Sequence, residues 1–202
     1  MKNVSELKNI KKSLDSDTKK RLKKLEKYTC PHHESFVGGF AFGFLVVLTL
    51  IISINSKKTD LLLPVIPIAA ISGFFFYSAI KETRRYRSIL TERLNSNGVN
   101  TLLDDFEKGG KAFKESIILG QQNIYGKRSG EIIPYGSISR MYQYIERDAL
   151  FENDRKLCLE LKNGKTVKIG MIPLKGRGNE ELRQVFDYIC SKNGNIRLGY
   201  AG

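Results

Sequence analysis

The sequence has no tryptophan and contains only 3 cysteines and 2 histidines among its 202 residues. The cysteines Cys30, Cys158 and Cys190 are odd in number and widely spaced, which excludes the disulfide framework of a small secreted domain and predicts reduced thiols. His32 and His33 follow Cys30 closely, but these three residues are one ligand short of a structural zinc site. We therefore predict no metal site and no cofactor.

The sequence also lacks the short motifs that carry common catalytic chemistry. It contains no G-x-S-x-G elbow, and the glycine-rich residues 175–178 lack both a preceding strand and the G-K-[ST] ending of a phosphate loop. The acidic pairs Asp104–Asp105 and Asp148–Asp154 are expected on a solvated helix surface and in a loop. The sequence therefore predicts no catalytic residue and no enzyme.

Two long runs contain no charged residue: residues 36–54 (nineteen residues) and residues 61–80 (twenty residues). As helices, each would be about 30 Å long, which matches the hydrocarbon core of a bilayer. The alternative is a pair of buried helices in a soluble domain, but the rest of the chain is small for surrounding two helices that are apolar on every side. A cleaved signal peptide is disfavoured because a second run follows the first. We predict a transmembrane hairpin over residues 36–80, with residues 55–60 as its loop.

The formal net charge of +13 would suit nucleic acid if it were spread evenly, but it is concentrated beside the apolar runs. Residues 16–35 hold six Lys and Arg and residues 81–100 hold five, whereas the loop between the runs holds two. This asymmetry predicts that both termini are cytoplasmic and that the chain is a multi-pass protein of the plasma (inner) membrane. We predict contact with membrane lipids and none with nucleic acid. The candidate headgroup-binding residues are Lys19, Lys20, Lys23, Lys24, Lys27, Arg84, Arg85 and Arg87.

The segments on either side of the apolar runs favour helix. Residues 1–35 are predicted to form a basic amphipathic cytosolic helix that lies on the membrane surface or on the protein's own cytosolic domain. Residues 81–111 are predicted to be a helical connector that continues the second apolar helix and includes a short helix before Gly109 and Gly110.

Small residues recur at four-residue spacing in both apolar runs. Gly39 and Gly43 form a G-x-x-x-G pair, and Ala69 and Gly73 form a similar pair in the second run. Such pairs are expected to let two helix backbones approach closely, although they also arise by chance in apolar helices.

Residues 112–202 change to a strand-like period. Asn163 and Gly164 are a strong hairpin signal, and Leu182, Val185 and Ile189 lie on one face of a final amphipathic helix. Together these patterns predict an α+β membrane protein whose C-terminal part is an antiparallel barrel or sandwich capped by one helix. The six predicted strands are residues 116–119, 123–127, 131–135, 138–145, 155–162 and 165–171.

The order of consecutive strands and a final helix resembles a pleckstrin-homology-like (PH-like) domain. Residues 124–126 (Ile-Tyr-Gly), Gly130 and residues 132–138 (Ile-Ile-Pro-Tyr-Gly-Ser-Ile) are similar to the bacterial PH-like pattern. In bacteria such domains often follow one or two membrane spans in small proteins of unknown function. The resemblance implies seven strands, one more than the six predicted, so that either residues 113–119 form the first strand or the seventh lies around residues 148–154. It also implies a domain that binds phosphoinositides, peptides or other proteins.

In the phosphoinositide-binding members, lysine and arginine lie around the first hairpin loop. Here that loop is predicted at residues 120–122, which contain no basic residue. Lys114, Lys127 and Arg128 are only near it in sequence.

The predicted function is a non-enzymatic, membrane-anchored interaction or scaffold module that holds a protein partner, or a second copy of itself, at the cytosolic face. The alternatives are a sensor of anionic lipids and an accessory subunit of a larger membrane complex. Tyr142 and Tyr144 are the first candidates for a contact surface if Met141 and Ile145 face inward. Cross-strand packing is the other interpretation of these tyrosines.

Overall fold

The computed structural model describes residues 2–30, 34–56, 65–146, 154–173 and 178–199. The chain divides into two units. The helix unit is Pro31–Arg85, and the sheet unit combines Met1–Cys30 with Tyr86–Gly202. Within the described ranges the fold is α+β, with six α-helices and two four-stranded sheets.

The helices differ from the sequence prediction mainly at the N-terminus. The single helix predicted over residues 1–35 is wrong, because the chain breaks at Leu14 and starts a new helix after Asp15. The Asp15 carboxylate accepts hydrogen bonds from the backbone N–H groups of Asp17 and Thr18, which satisfies donors that the first turn leaves open. The bounds are α1 Lys2–Ser13, α2 Ser16–Thr29, α3 Glu34–Ser56, α4 Val65–Asn97, α5 Val99–Glu107 and α6 Gly178–Lys192.

In the helix unit, α3 contacts α4 through small residues. Ser72 donates a hydrogen bond to the backbone carbonyl of Gly39 at 2.9 Å, and a Cβ added at Gly39 would lie 3.1 Å from the Phe76 ring. A Cβ added at Gly73 would meet nothing within 4 Å, and Ala69 is exposed. The expected contact through Ala69 and Gly73 is therefore wrong, since Ser72 is the small residue of α4 that meets α3.

Of the helices in the described ranges, α4 is the one long and apolar enough to cross a membrane. Only 11 % of its apolar window is buried, unlike a core helix of a soluble protein. The described apolar part of α3, Gly39–Ser53, is shorter than the 18 residues needed for a candidate membrane span. Ile66 and Phe74 of α4 are 75 % and 68 % exposed, as expected of side chains that face lipid.

The strands form two sheets. Sheet A has the antiparallel order β1-β2-β3-β4, and sheet B has the order β7-β6-β5-β8, in which β8 runs parallel to β5. The bounds are β1 Gly110–Ala112, β2 Ile117–Leu119, β3 Asn123–Gly126, β4 Ile132–Pro134, β5 Ile138–Glu146, β6 Asp154–Leu161, β7 Thr166–Ile172 and β8 Arg197–Leu198.

Two expectations for the strands are corrected. Two strands of the structure are absent from the six predicted: β1, and β8 near the C-terminus. β1 begins at Gly110, two residues before the predicted start of the C-terminal domain at residue 112. A single 3-10 turn, Tyr135–Ser137, separates β4 from β5, and the two strands belong to different sheets. The described strands therefore form no closed barrel.

Sheet A is buried on both faces. Its inner face, sheet B and α6 enclose the first core, which includes Leu119, Leu157 and Ile189. Its outer face carries Ile118 and Tyr125 into the second core. That second core also contains Leu22 and Leu25 of α2, Tyr86, Leu90 and Leu94 of α4, and Leu102, Leu103 and Phe106 of α5.

The N-terminal segment thus packs on the sheet unit. Leu22 and Leu25 are 1 % and 0 % exposed. Burying a leucine side chain contributes about 1.5–3 kcal/mol, so these two alone hold α2 firmly against sheet A. Of the two expected placements, membrane surface or the protein's own domain, the apolar face of α2 takes the second.

Candidate membrane-surface and partner-binding sites

The five lysines predicted to bind headgroups share one face of α2. Lys19, Lys20, Lys23, Lys24 and Lys27 are all exposed. At about 100° per residue they occupy an arc of roughly 140°, opposite the buried leucines of the same helix. Among the described residues, none of the five has a carboxylate oxygen within 4 Å.

Two other charged side chains of α2, Arg21 and Glu26, are paired with neighbouring helices. The Arg21 guanidinium contacts Asp104 and lies 2.7 Å from Glu107, both on α5. Glu26 lies 2.6 Å from the ammonium of Lys11 on α1. The hydrogen bond from Arg21 lowers the pKa of Asp104. Charges at the sides of α2 therefore fix the helix in place, and the lysine face remains open.

The three predicted arginines of α4 do not form one cluster. Arg84, Arg85 and Arg87 are exposed, but Tyr86 between them is buried in the second core. By helical geometry, Arg84 and Arg87 lie about 60° apart, whereas Arg85 is about 160° from Arg87. Arg84 and Arg85 belong to the helix unit and Arg87 to the sheet unit.

The last turn of α2 is bonded to α4 and to sheet A. Thr29 shares a 2.8 Å hydrogen bond with the Tyr86 hydroxyl, and burial raises the pKa of Tyr86. The backbone N–H groups of Arg128 and Gly130 donate to the carbonyls of Tyr28 and Thr29 at 2.7 and 2.8 Å. These bonds lock together the two segments that border the helix unit.

Two loops meet at the end of sheet A that is bonded to the last turn of α2. The first hairpin of the sheet unit is β1–β2, with residues 113–116 as its loop, so the expected position at residues 120–122 is wrong. This loop contains Lys114, and the β3–β4 loop contains Lys127 and Arg128, all three exposed. The N–H of Lys127 donates to the Ser116 carbonyl, and this bond joins the two loops.

Backbone strain is concentrated in the same two loops. Among the described residues, four non-glycine residues have a positive φ of 51–64°: Phe113, Lys114, Glu115 and Arg128. Such conformations cost of order 1 kcal/mol each and commonly mark functional positions. Three basic side chains are therefore presented on a strained end of sheet A.

The tyrosines predicted as a contact surface lie on the outer face of sheet B. The prediction required that both Met141 and Ile145 face inward. Met141 faces the core and is 0 % exposed, whereas Ile145 is 40 % exposed, so only Met141 meets the requirement. The ammonium of Lys168 lies 3.5 Å from the centre of the Tyr144 ring, which is a cation–π contact. Tyr142 and Tyr144 remain half-buried.

Cys158 lies beneath Tyr142 on the same outer face. A hydrogen bond with the Cys158 thiol, together with burial, raises the pKa of Tyr142 to about 12. Burial likewise raises the pKa of Cys158, which disfavours the reactive thiolate form. Neither tyrosine belongs to either hydrophobic core. Tyr142 and Tyr144 pair across the strands with Cys158 and Lys156, and both still expose part of their rings to solvent.

Other side chains on the outer face of sheet B suit an interface. Arg140 lies 3.7 Å from Glu160 on the neighbouring strand, and Met171 is 56 % exposed. Tyrosine, methionine and arginine are enriched in protein–protein interfaces. The face therefore offers aromatic and apolar area beside the Arg140–Glu160 pair and the Lys168 ammonium.

Asp105 is a buried connector that the sequence prediction placed on a solvated surface. It is only 7 % exposed, and its carboxylate accepts hydrogen bonds from the backbone N–H groups of Gln121, Gln122 and Asn123. The Tyr125 hydroxyl also donates to it at 2.8 Å. A usable signal was present in the sequence, because Asp105 lies on the apolar face of α5.

The described residues do not form a recognisable metal-binding group. In the part of the chain that the structure describes, no group of three or more His, Cys, Asp or Glu side chains is arranged to hold a metal ion. His32 and His33 lie outside the described residues.

Comparisons with protein-family models, with curated proteins and with solved structures each give no match to this chain. The PH-like resemblance therefore rests on the residues that carry it.

Proposed function

We propose that the chain is a membrane-anchored, non-enzymatic interaction module. In this proposal α3 and α4 cross the plasma (inner) membrane as a hairpin, both termini are cytoplasmic, and the sheet unit holds a protein partner or a second copy at the cytosolic face. The supporting observation is the bonded junction of Thr29 with Tyr86, which ties α2 and α4 to each other and to sheet A. The two points at which the chain leaves the sheet unit for the apolar helices are therefore bonded to each other, as an anchor made of a helical hairpin requires.

The proposal includes a PH-like fold for the sheet unit. The described strands β1 to β7 follow one another as four strands of sheet A and three of sheet B, and α6 comes next. With the two-residue β8 that follows α6 left out, this order is compatible with the seven strands and final helix that the resemblance implies. The strands that the sequence prediction lacked are β1, at residues 110–112, and β8, at residues 197–198.

The proposed contact surface is the outer face of sheet B around Tyr142 and Tyr144. The test is purification of the full chain from native membranes in mild detergent, followed by light scattering and identification of stoichiometric companions. We expect a partner protein or a dimer with the natural sequence, and at least a tenfold loss of it in the Tyr142→Ala/Tyr144→Ala variant. Arg183→Ala, an exposed site on α6, is the matched control.

A monomeric particle without a stoichiometric companion would overturn the scaffold proposal. Retention of the companion by the double variant, with an unchanged melting temperature, would exclude the outer face of sheet B as the contact surface.

The unpaired lysine face of α2 favours a second candidate, recognition of anionic lipid. Each lysine near an anionic surface contributes about 1 kcal/mol. Lysine acetylation can be followed by mass spectrometry on the full chain in nanodiscs. Nanodiscs with anionic phosphatidylglycerol should slow acetylation of the five α2 lysines several-fold relative to neutral nanodiscs, whereas the exposed Lys162 on the β6–β7 turn should not change. Equal rates in both lipids would rule this candidate out.

The full chain is required in these experiments. Residues 112–202 alone would leave the outer face of sheet A uncovered, because α2, α4 and α5 bury Ile118, Tyr125 and Ile132. The isolated segment would therefore expose an artificial apolar surface.

A further inference from the structure

Three consecutive non-glycine residues between β1 and β2 have left-handed backbone conformations. Phe113, Lys114 and Glu115 have φ angles of 51°, 54° and 64°. Even one such residue is uncommon, because the Cβ atom crowds the backbone when φ is positive. Residues in such conformations persist only where the surrounding structure holds them. We call residues 113–115 the left-handed turn.

One hydrogen bond holds the end of the left-handed turn to α2. The Tyr28 hydroxyl donates to the Glu115 carbonyl at 2.9 Å. Tyr28 lies in the last turn of α2, three residues before the helix unit begins at Pro31. The segment that leads from the sheet unit into the apolar helices is therefore bonded directly to strained backbone.

A second hydrogen bond holds the start of the left-handed turn to α6. The Phe113 N–H donates to the Glu181 carboxylate at 2.6 Å, and Glu181 lies in the first turn of α6. The Phe113 ring is buried in the first core, which also contains Leu182 of α6. A change in the backbone at Phe113 would therefore disturb the N-terminal turn of α6.

The other contacts of the left-handed turn do not reach a helix. The Lys111 ammonium lies 2.7 Å from the Glu115 carboxylate, but both side chains are exposed, so this ion pair contributes little. The Ser116 N–H donates to the Phe113 carbonyl, which only closes the turn on itself. Among the described contacts, the bonds to α2 and α6 are therefore the ones that tie the turn to the helices.

We propose that the left-handed turn is a conformational switch that couples the segment entering the apolar helices to α6. The bonds to Tyr28 and Glu181 together outweigh the strain and hold the turn left-handed. When the last turn of α2 moves and the Tyr28 bond is lost, the Glu181 bond alone does not hold the turn. The backbone then relaxes to negative φ, and the Phe113 N–H leaves Glu181. A movement of the apolar helices is thereby transmitted through α2 to α6.

Hydrogen exchange of the Phe113 amide, measured on the full chain in neutral nanodiscs, reports the far end of this switch. Tyr28→Phe removes the hydroxyl and keeps the ring. We expect this variant to speed exchange at Phe113 about tenfold or more, although the lost bond is to Glu115. Ser139→Ala, which removes a hydroxyl bonded to the Glu160 carbonyl in sheet B, is the matched control and should leave this exchange unchanged.

Glycine substitution separates the release of strain from the simple loss of a contact. Lys114→Gly/Glu115→Gly relieves the strain at two positions, because glycine adopts a positive φ freely, and it keeps the carbonyl that Tyr28 binds. In this background the Glu181 bond alone should hold the turn. Tyr28→Phe should then change Phe113 exchange by no more than about twofold. Equal acceleration in both backgrounds would overturn the switch, because it would show an ordinary structural contact.

Melting temperatures give a second measure of the same coupling. If one lost bond already lets the turn relax, Tyr28→Phe/Glu181→Gln should lower the melting temperature no more than the larger single substitution does. In the glycine background the two losses should add. Additive losses in the natural background, or unchanged exchange at Phe113 in folded Tyr28→Phe, would overturn the inference. Neither measurement depends on a partner or on anionic lipid, so its failure is distinguishable from failure of the proposed function.

Discussion

Asp105 joins α5 to the β2–β3 turn through one buried carboxylate. The two carboxylate oxygens of Asp105 accept hydrogen bonds from three consecutive backbone N–H groups, those of Gln121, Gln122 and Asn123, and from the Tyr125 hydroxyl. There is no space for a side chain at Gly120, where an added Cβ would lie 2.5 Å from this carboxylate. The close fit explains why a glycine occupies the turn and why α5 has a fixed position on sheet A.

Removal of the Asp105 carboxylate should destabilise the sheet unit strongly. Asp105→Ala leaves several buried donors without an acceptor, at a cost of about 1–3 kcal/mol for each unsatisfied group. We expect a loss of about 3 kcal/mol or more in thermal or denaturant unfolding, and a smaller loss for Asp105→Asn, which keeps one carbonyl oxygen. Asp104→Ala is the matched control, because its exposed ion pairs contribute less than about 1 kcal/mol. Equal effects at the two neighbours would contradict the role of Asp105.

The buried tyrosines make a prediction about alkaline pH. Burial, together with the Asp105 carboxylate, raises the pKa of Tyr125, and burial raises those of Tyr86 and Tyr135. A raised folded-state pKa favours the neutral side chain, so its contribution to stability is complete below pH about 10 and is lost as pH rises through the folded-state pKa. Near-ultraviolet titration should show these tyrosines ionising only with unfolding. A single transition of all 9 tyrosines near pH 10 would contradict this.

At the scale of elements, strand and helix periodicity predicted most of the sheet unit. β5, β6, β7 and α6 lie close to their predicted positions because they are long and strictly periodic. β1 has three residues and includes Gly110, so neither alternation nor strand propensity marks it.

The second core was predicted only in part, as one of the two placements expected for the N-terminal helix, although a further signal for it existed. β2 is Ile117–Leu119, in which all three residues are buried. A continuous apolar run in a strand indicates burial on both faces, and alternation indicates burial on one. The run therefore implied that another layer covers sheet A. Only the tertiary structure identifies that layer as α2, α4 and α5, because pairing of distant segments leaves no local pattern.

Packing of α3 on α4 depends on Gly39 and not on Gly73. A leucine at Gly39 would contact the Phe76 ring, whereas a leucine at Gly73 would enter open space. Both substitutions change intrinsic helix propensity equally, so their difference isolates the contact between helices. We expect Gly39→Leu to lower the melting temperature in detergent by several degrees relative to Gly73→Leu. Indistinguishable melting curves would contradict the contact.

At the scale of the whole molecule, the net charge of +13 has several roles that its average conceals. The lysines of α2 form an unpaired face, Arg21 holds α2 to α5, and Lys114, Lys127 and Arg128 stand at one end of sheet A. Counting by segment predicted where the charge lies in the sequence. It did not predict which cations are paired, since that depends on which helices meet.

The central claim is that two apolar helices anchor a cytoplasmic sheet unit, and cysteine labelling tests it most directly. Cys30, Cys158 and Cys190 all belong to the proposed cytoplasmic unit, so the natural protein is its own control. A membrane-impermeant maleimide should label Ser56→Cys, at the end of α3, in intact cells and should leave the natural protein unlabelled until the cells are permeabilised. Labelling of the natural protein in intact cells, or protection of Ser56→Cys there, would contradict the account.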